Sequence, residues 1–144
     1  VVPLKEQYSN ISEYYSTTFH ELVHSSGSKN RLNRLETSNL ASFGSETYSK
    51  EELVAEIGSA SILNYLGIET KGTFQNSASY IESLASSSQE DNKFIVSASS
   101  KAEKAVNYIL GIEDKEAVEI YRFFFCVMVS GVGFRFCWSA MLAL

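Results

Sequence analysis

His20-Glu21-Leu22-Val23-His24 holds both histidines of the chain, and the reading of these five residues decides the fold and the chemistry. On an α-helix, residues four apart lie one turn above each other on the same face, so two imidazoles at this spacing reach one ion together. Glu21 lies beside the pair, where it can take a proton from a metal-activated water. The alternative is a surface or packing pair without metal. The surrounding residues favour the metal site because they predict a well-marked helix. Ser12 caps its start, Glu13 suits the positive end of the dipole, Phe19, Leu22 and Val23 give an apolar side, and Gly27 closes the end.

A catalytic zinc takes three protein ligands and keeps one position open, so a third donor is required. There is no third histidine, and Cys126 and Cys137 lie far away in an apolar tail, which leaves carboxylates. Ser49-Lys50-Glu51-Glu52-Leu53-Val54-Ala55-Glu56-Ile57-Gly58 opens a second predicted helix that runs to about Leu66 and stops at Gly67. Its apolar arc, Leu53, Ile57, Ala60 and Leu63, has Glu56 near the middle and Glu52 at the flank. An acid on a core face is costly unless it is paired or bound to a cation. One division of labour has Glu52 binding the metal while Glu56 accepts a hydrogen bond from a ligand histidine and fixes its tautomer. Two plainer readings stay open: Glu52 in a capping box with Ser49, and Glu56 as a snorkelling surface side chain. Glu51 reads as a solvated first-turn acid.

These residues, together with Arg31-Leu32-Asn33-Arg34, Phe43-Gly44-Ser45-Glu46, Asn76-Ser77-Ala78-Ser79-Tyr80-Ile81 and Phe94-Ile95-Val96-Ser97-Ala98, carry a resemblance. From about residue 3 to 112 the chain resembles the C-terminal zincin-like metallopeptidase domain of ArdC-type antirestriction (polyvalent) proteins. The resemblance implies a protein of plasmids, phages and other mobile elements, with a single-stranded-DNA-binding domain N-terminal to the stretch seen here. It makes His20 and His24 ligands, Glu21 the general base and Glu52 the third ligand.

The expected architecture is mainly α, an α+β zincin-like fold with most of its sheet missing. The HExxH helix packs on a glutamate-bearing helix, with further helices towards the C-terminus. Asn76 is expected to cap a helix reaching about Ala85, and another carries Ala98, Ala102, Ala105, Val106 and Ile109 and ends at Gly111. Residues 31–48 read as a loop rich in Asn, Ser and Gly, long enough to rim the metal. The expected domain spans residues 1–112, truncated at its N-terminus, and 113–144 form an apolar tail.

A chain of 144 residues with 44% apolar content can bury one core. The apolar run at 123–134 falls short of the about 20 residues that span a bilayer, so no membrane role is expected. Cys126 and Cys137 make no disulfide framework and no common zinc motif, and no signal sequence is visible, so the expected compartment is the cytoplasm. A net charge of −5 argues against a broad nucleic-acid surface. Lys29, Arg31 and Arg34 form a local basic cluster, read either as solvated or as contacting substrate. Tyr48 is read either as packing or as a donor to a developing oxyanion.

The expected function is zinc-dependent hydrolysis of a protein or peptide substrate, with host restriction machinery as a partner implied by the resemblance. The alternative is a binding module with a structural or vestigial metal that sequesters a host protein.

Overall fold

Asn10 starts the first helix: its Oδ1 accepts the backbone N–H of Ser12 at 2.9 Å. Ser12, the expected cap, therefore lies buried inside the first turn. In the computed structural model, which describes residues 2–35, 46–87 and 93–112, this helix, α1, runs Ile11–Ser26. It follows a short 3-10 turn, Lys5–Gln7. Then come α2, Glu46–Tyr65; α3, Lys71–Ser87; and α4, Lys93–Leu110. Among the described residues there is no strand, in keeping with a mainly α zincin-like domain short of its sheet. The apolar tail at 113–144 and most of the expected rim, residues 36–45, lie outside the described residues.

Helix α2 is the centre of the fold, packed on α1, α3 and α4. Leu53, Val54, Ala55, Ala60, Ile62 and Leu63 are buried, as are Ser59 and Ser61. The expected single apolar arc is therefore wrong for α2: a helix with neighbours on several sides buries residues around much of its circumference. Its buried hydroxyls are satisfied, Ser61 by the Ile57 carbonyl at 2.8 Å and Ser59 by the Ser16 carbonyl of α1 at 2.7 Å. The helix also begins at Glu46, three residues before the expected start, which makes Ser49 an interior residue and excludes a capping box with Glu52.

The α1–α2 contact is close because one side of it is glycine. Val23 is fully buried, and a Cβ on Gly58 would meet its Cγ2 at 2.8 Å. Val23 has a stiff β-branched side chain and little room to yield. Gly58→Ala should cost about 1–3 kcal/mol in overpacking. That outweighs the roughly 1 kcal/mol a helical alanine gains over glycine. The expected result is a lower denaturant midpoint and a wider α1–α2 spacing. On the same helix Leu22, expected on the apolar side, is exposed, and only Val23 of that trio is fully buried.

The other helices follow from local chemistry. Thr70 and Thr73 exchange backbone-to-hydroxyl bonds at 3.2 and 2.9 Å, so α3 starts at Lys71 and Asn76, the expected cap, sits within it. Helix α4 buries Ala98, Ala102, Ala105 and Val106 against α2, a stripe of mostly small residues at helical spacing, as expected. Gly67 and Gly111 stop α2 and α4 with φ of 67° and 66°. In each case the following N–H reaches back to a carbonyl in the last turn, Leu63 or Asn107, in a left-handed closure that glycine accommodates without a Cβ penalty.

Candidate metal centre

Helix periodicity and the Val23–Gly58 contact together bring the histidine face of α1 onto the acidic face of α2. Nε2 of His20 and Nε2 of His24 are 3.1 Å apart. Glu52 spans them, with Oε2 at 3.5 Å from the first and Oε1 at 3.3 Å from the second. Ligand atoms of His20, His24 and Glu52 all lie within 4.8 Å of one another, a cluster able to hold a metal ion.

The far side of each ring is also engaged. Nδ1 of His20 lies 3.2 Å from Glu56 Oε2, and Nδ1 of His24 lies 3.2 Å from Glu51 Oε1. An ionised carboxylate only accepts, so with a metal between the rings each imidazole would keep its proton at Nδ1 and offer its Nε2 lone pair inwards. Deprotonated, two Nε2 atoms 3.1 Å apart and facing a carboxylate would repel one another, and a proton or a metal ion among them relieves this. The spacing suits zinc: bonds of about 2.0–2.1 Å in tetrahedral directions give ligand separations of roughly 3.3–3.4 Å.

Proton affinities report the same demand for positive charge. Burial alone would depress His20, but Glu52 and Glu56 more than reverse this and lift it to about 9. Burial likewise depresses His24 and Glu51 and Glu52 raise it, against the opposing charge of His20. Hydrogen bonds from His20 and His24 hold the Glu52 carboxyl far below the usual carboxylate range. Burial pushes Glu51 up, but His24 and Arg34 outweigh it, so its net shift is downwards. The sign of the pH dependence follows. In the metal-free chain the histidines' contribution to stability is complete below pH 6.5 and is lost as pH rises towards 9. The contribution of Glu51 and Glu52 is present above pH 4.5 and lost as pH falls below it. The metal-free Tm should therefore fall between pH 6.5 and 9. The rise in Tm on adding zinc should grow over the same interval, because zinc binds the deprotonated rings. Thermal melts with and without zinc at several pH values check both trends.

The remaining sequence candidates take definite places. Glu21 is half-buried on α1. By helix geometry it sits about 100° round from His20 and about 60° from His24. Tyr48 donates its hydroxyl to Glu52; burial, then the Glu52 charge, raises its pKa. Arg31 lies at the surface with NH1 on the Ser25 carbonyl at 2.7 Å. Arg34 is neither solvated nor turned to substrate. Its guanidinium is buried on Glu51, with Nε at 3.0 Å from Oε2 and NH2 at 2.8 Å from Oε1. Glu51, expected to be a solvated acid, is thus held between Arg34 and His24, since α2 starts early enough to put residue 51 beyond the first turn and facing α1. The sequence reading gave Tyr80 no role, yet α3 brings its hydroxyl to 3.4 Å from Glu52 Oε2.

Comparison with known proteins agrees with this geometry. A family profile described as zincin-like metallopeptidase matches residues 1–101. A DNA primase TraC of Escherichia coli is 40% identical over 120 residues, covering 82% of this chain and 11% of that protein. A second DNA primase TraC of Escherichia coli is 38% identical over 120 residues, 82% of this chain and 8% of its own length. An uncharacterized protein, y4eC, of Sinorhizobium fredii is 33% identical over 96 residues, 67% of this chain and 30% of that protein. The chain therefore spans only a small part of each of these relatives. No solved structure matches it. Two histidines and a glutamate converging between two packed helices, within a stretch matched almost throughout by the family profile, lead to one conclusion: the chain belongs to the zincin-like metallopeptidases.

Proposed function

We propose that this domain is a zinc-dependent metallopeptidase that hydrolyses peptide bonds, with His20, His24 and Glu52 as the metal ligands and Glu21 as the general base. The observation that carries the reading is the convergence of Nε2 of His20, Nε2 of His24 and the Glu52 carboxylate, with Glu56 and Glu51 on the opposite nitrogens of the rings. Zinc, when bound, polarises the scissile carbonyl and makes water a nucleophile near neutral pH. Glu21 accepts the proton given up as water attacks the carbonyl carbon and returns it to the departing amine. Glu56 and Glu51 hold the two imidazoles in the Nδ1-protonated tautomer, and Tyr48 and Tyr80 steady the Glu52 carboxylate through their hydroxyls.

The other reading, a binding module with a structural metal, calls for four protein ligands. Among the described residues the converging group has three donors, which favours an open, catalytic site. No helix of the described residues is long and apolar enough to cross a membrane. We place the domain in the cytoplasm, as a peptidase module of a larger mobile-element protein. The much longer relatives named DNA primase TraC support the reading as a module of a larger protein. Host proteins such as restriction machinery are its proposed substrates.

The test is reversible metal dependence. The purified chain should cleave an unstructured protein substrate, lose that activity on chelation and recover it when zinc is restored. Zinc uptake at one equivalent without any cleavage would favour the binding module.

A further inference from the structure

Arg34 is bound from several sides. Besides its bonds to both oxygens of Glu51, it donates through NH1 to Ser26 Oγ at 3.0 Å and through NH2 to the Val23 carbonyl at the end of α1. Its side chain is only 9% exposed. A forked guanidinium on both oxygens of a carboxylate fixes the orientation of that carboxylate as well as its charge. Glu51 meets the Nδ1 edge of His24, so the chain of contacts ends on a ring whose Nε2 faces the candidate metal position.

The backbone that presents Arg34 is equally specific. The N–H groups of Arg34 and Leu35 both donate to the Gly27 carbonyl at 3.0 Å, and Leu32 donates to Ser26 at 3.0 Å. Asn33 turns the chain with a φ of 47°, in the left-handed region that asparagine tolerates better than most residues. A Cβ on Gly27 would come within 2.8 Å of Leu35 Cγ and 3.1 Å of Arg34 Cζ. Gly27 has an ordinary φ of −74°, so glycine is needed there for the close return of residues 34 and 35 and not for helix termination by a left-handed residue. These bonds seat the loop after α1 in a position from which Arg34 reaches Glu51.

Charge points the same way. Glu51, Glu52 and Glu56 face two imidazoles in a largely buried space. Arg34 offsets one carboxylate, and a divalent cation at the candidate position would offset the other two.

We propose that Arg34 is a positioning residue of the metal centre: by gripping Glu51 against His24 it couples metal binding to the seating of the loop at residues 28–35. The coupling rests on the reading of His20, His24 and Glu52 as ligands and is reciprocal. A metal that binds best when His24 is held by Glu51 draws the loop into place, and unseating the loop weakens the metal.

The test uses the full chain and zinc alone, with affinity read by competition with a chromophoric chelator and loop seating by amide hydrogen exchange. Zinc should slow exchange at Leu32, Arg34 and Leu35 in the parent. Arg34→Met should weaken zinc by about 10–100-fold, the usual effect of losing an outer partner of a ligand, and remove the zinc-dependent protection. Arg34→Lys keeps the charge but not the fork and should fall between the two. Retained protection with unchanged zinc affinity in Arg34→Met would overturn the proposal. If that variant does not fold, the near-isosteric Glu51→Gln decides: it should lose zinc affinity, and parental affinity would overturn the coupling. Failure of the parent chain to bind zinc at all is a separate result, which removes the ligand assignment and the peptidase reading together.

Discussion

Glu21→Gln is expected to leave one zinc per chain and abolish cleavage, with a fall in kcat of about 10²–10⁴-fold, the usual contribution of a positioned general base. Glutamine is close to glutamate in size and hydrogen-bonding reach, but its amide is not basic enough to take a proton from water. The residue is outside the converging group of His20, His24 and Glu52, so metal content should be untouched. Zinc analysis and single-turnover cleavage on the same preparation give the answer. Parental activity in a zinc-replete Glu21→Gln chain would remove Glu21 from the chemistry, and loss of zinc along with activity would recast it as a metal-site residue.

Glu52→Ala should empty the site, with an affinity loss larger than the about 10–100-fold expected for removing an outer partner such as Glu56. Glu52 is the acid that reaches both Nε2 atoms, at 3.5 and 3.3 Å, whereas Glu56 touches His20 on its opposite nitrogen. Glu52→Ala leaves two imidazoles without their shared counter-charge, while Glu56→Ala leaves three donors in place and only loosens one ring. Zinc competition on the two variants side by side should rank Glu52 well above Glu56. The reverse order would exchange their roles. The metal-free Glu52→Ala chain should also show a weaker pH trend than described above, because the hydrogen bonds and charge that raise both histidines come in part from Glu52 and in part from Glu56 and Glu51.

Several features of this protein follow from its amino-acid order. The four-residue spacing of His20 and His24 is a statement about one helix, and helix periodicity alone puts both rings on one face. The same holds for Glu52 and Glu56, again one turn apart, and for the small-residue stripe of α4 and the glycine stops after α2 and α4. Local competition limited even this reading. Asn10 displaced Ser12 as a cap, and the Thr70–Thr73 pair started α3 well before Asn76, because neighbouring polar residues offer the backbone similar hydrogen bonds.

What the sequence did not reveal depends on how helices face one another. The separate roles of Glu52 and Glu56 were one of the readings the sequence offered, but Glu51 read as a solvated acid; the rotation of α2 against α1 puts it on the Nδ1 edge of His24. That rotation is set by Val23 against Gly58, a fit between residues 35 positions apart that leaves no periodic signal. Arg34 looked like one member of a basic loop cluster because its burial depends on a left-handed turn at Asn33 and on the open surface of Gly27. Tyr80 needed a third helix to deliver it. Sequence order therefore determined which donors exist and which face of each helix carries them. Tertiary packing decided which nitrogen meets which oxygen, since hydrogen bonds and ion pairs act over a few ångströms and only the packed helices bring those atoms within reach.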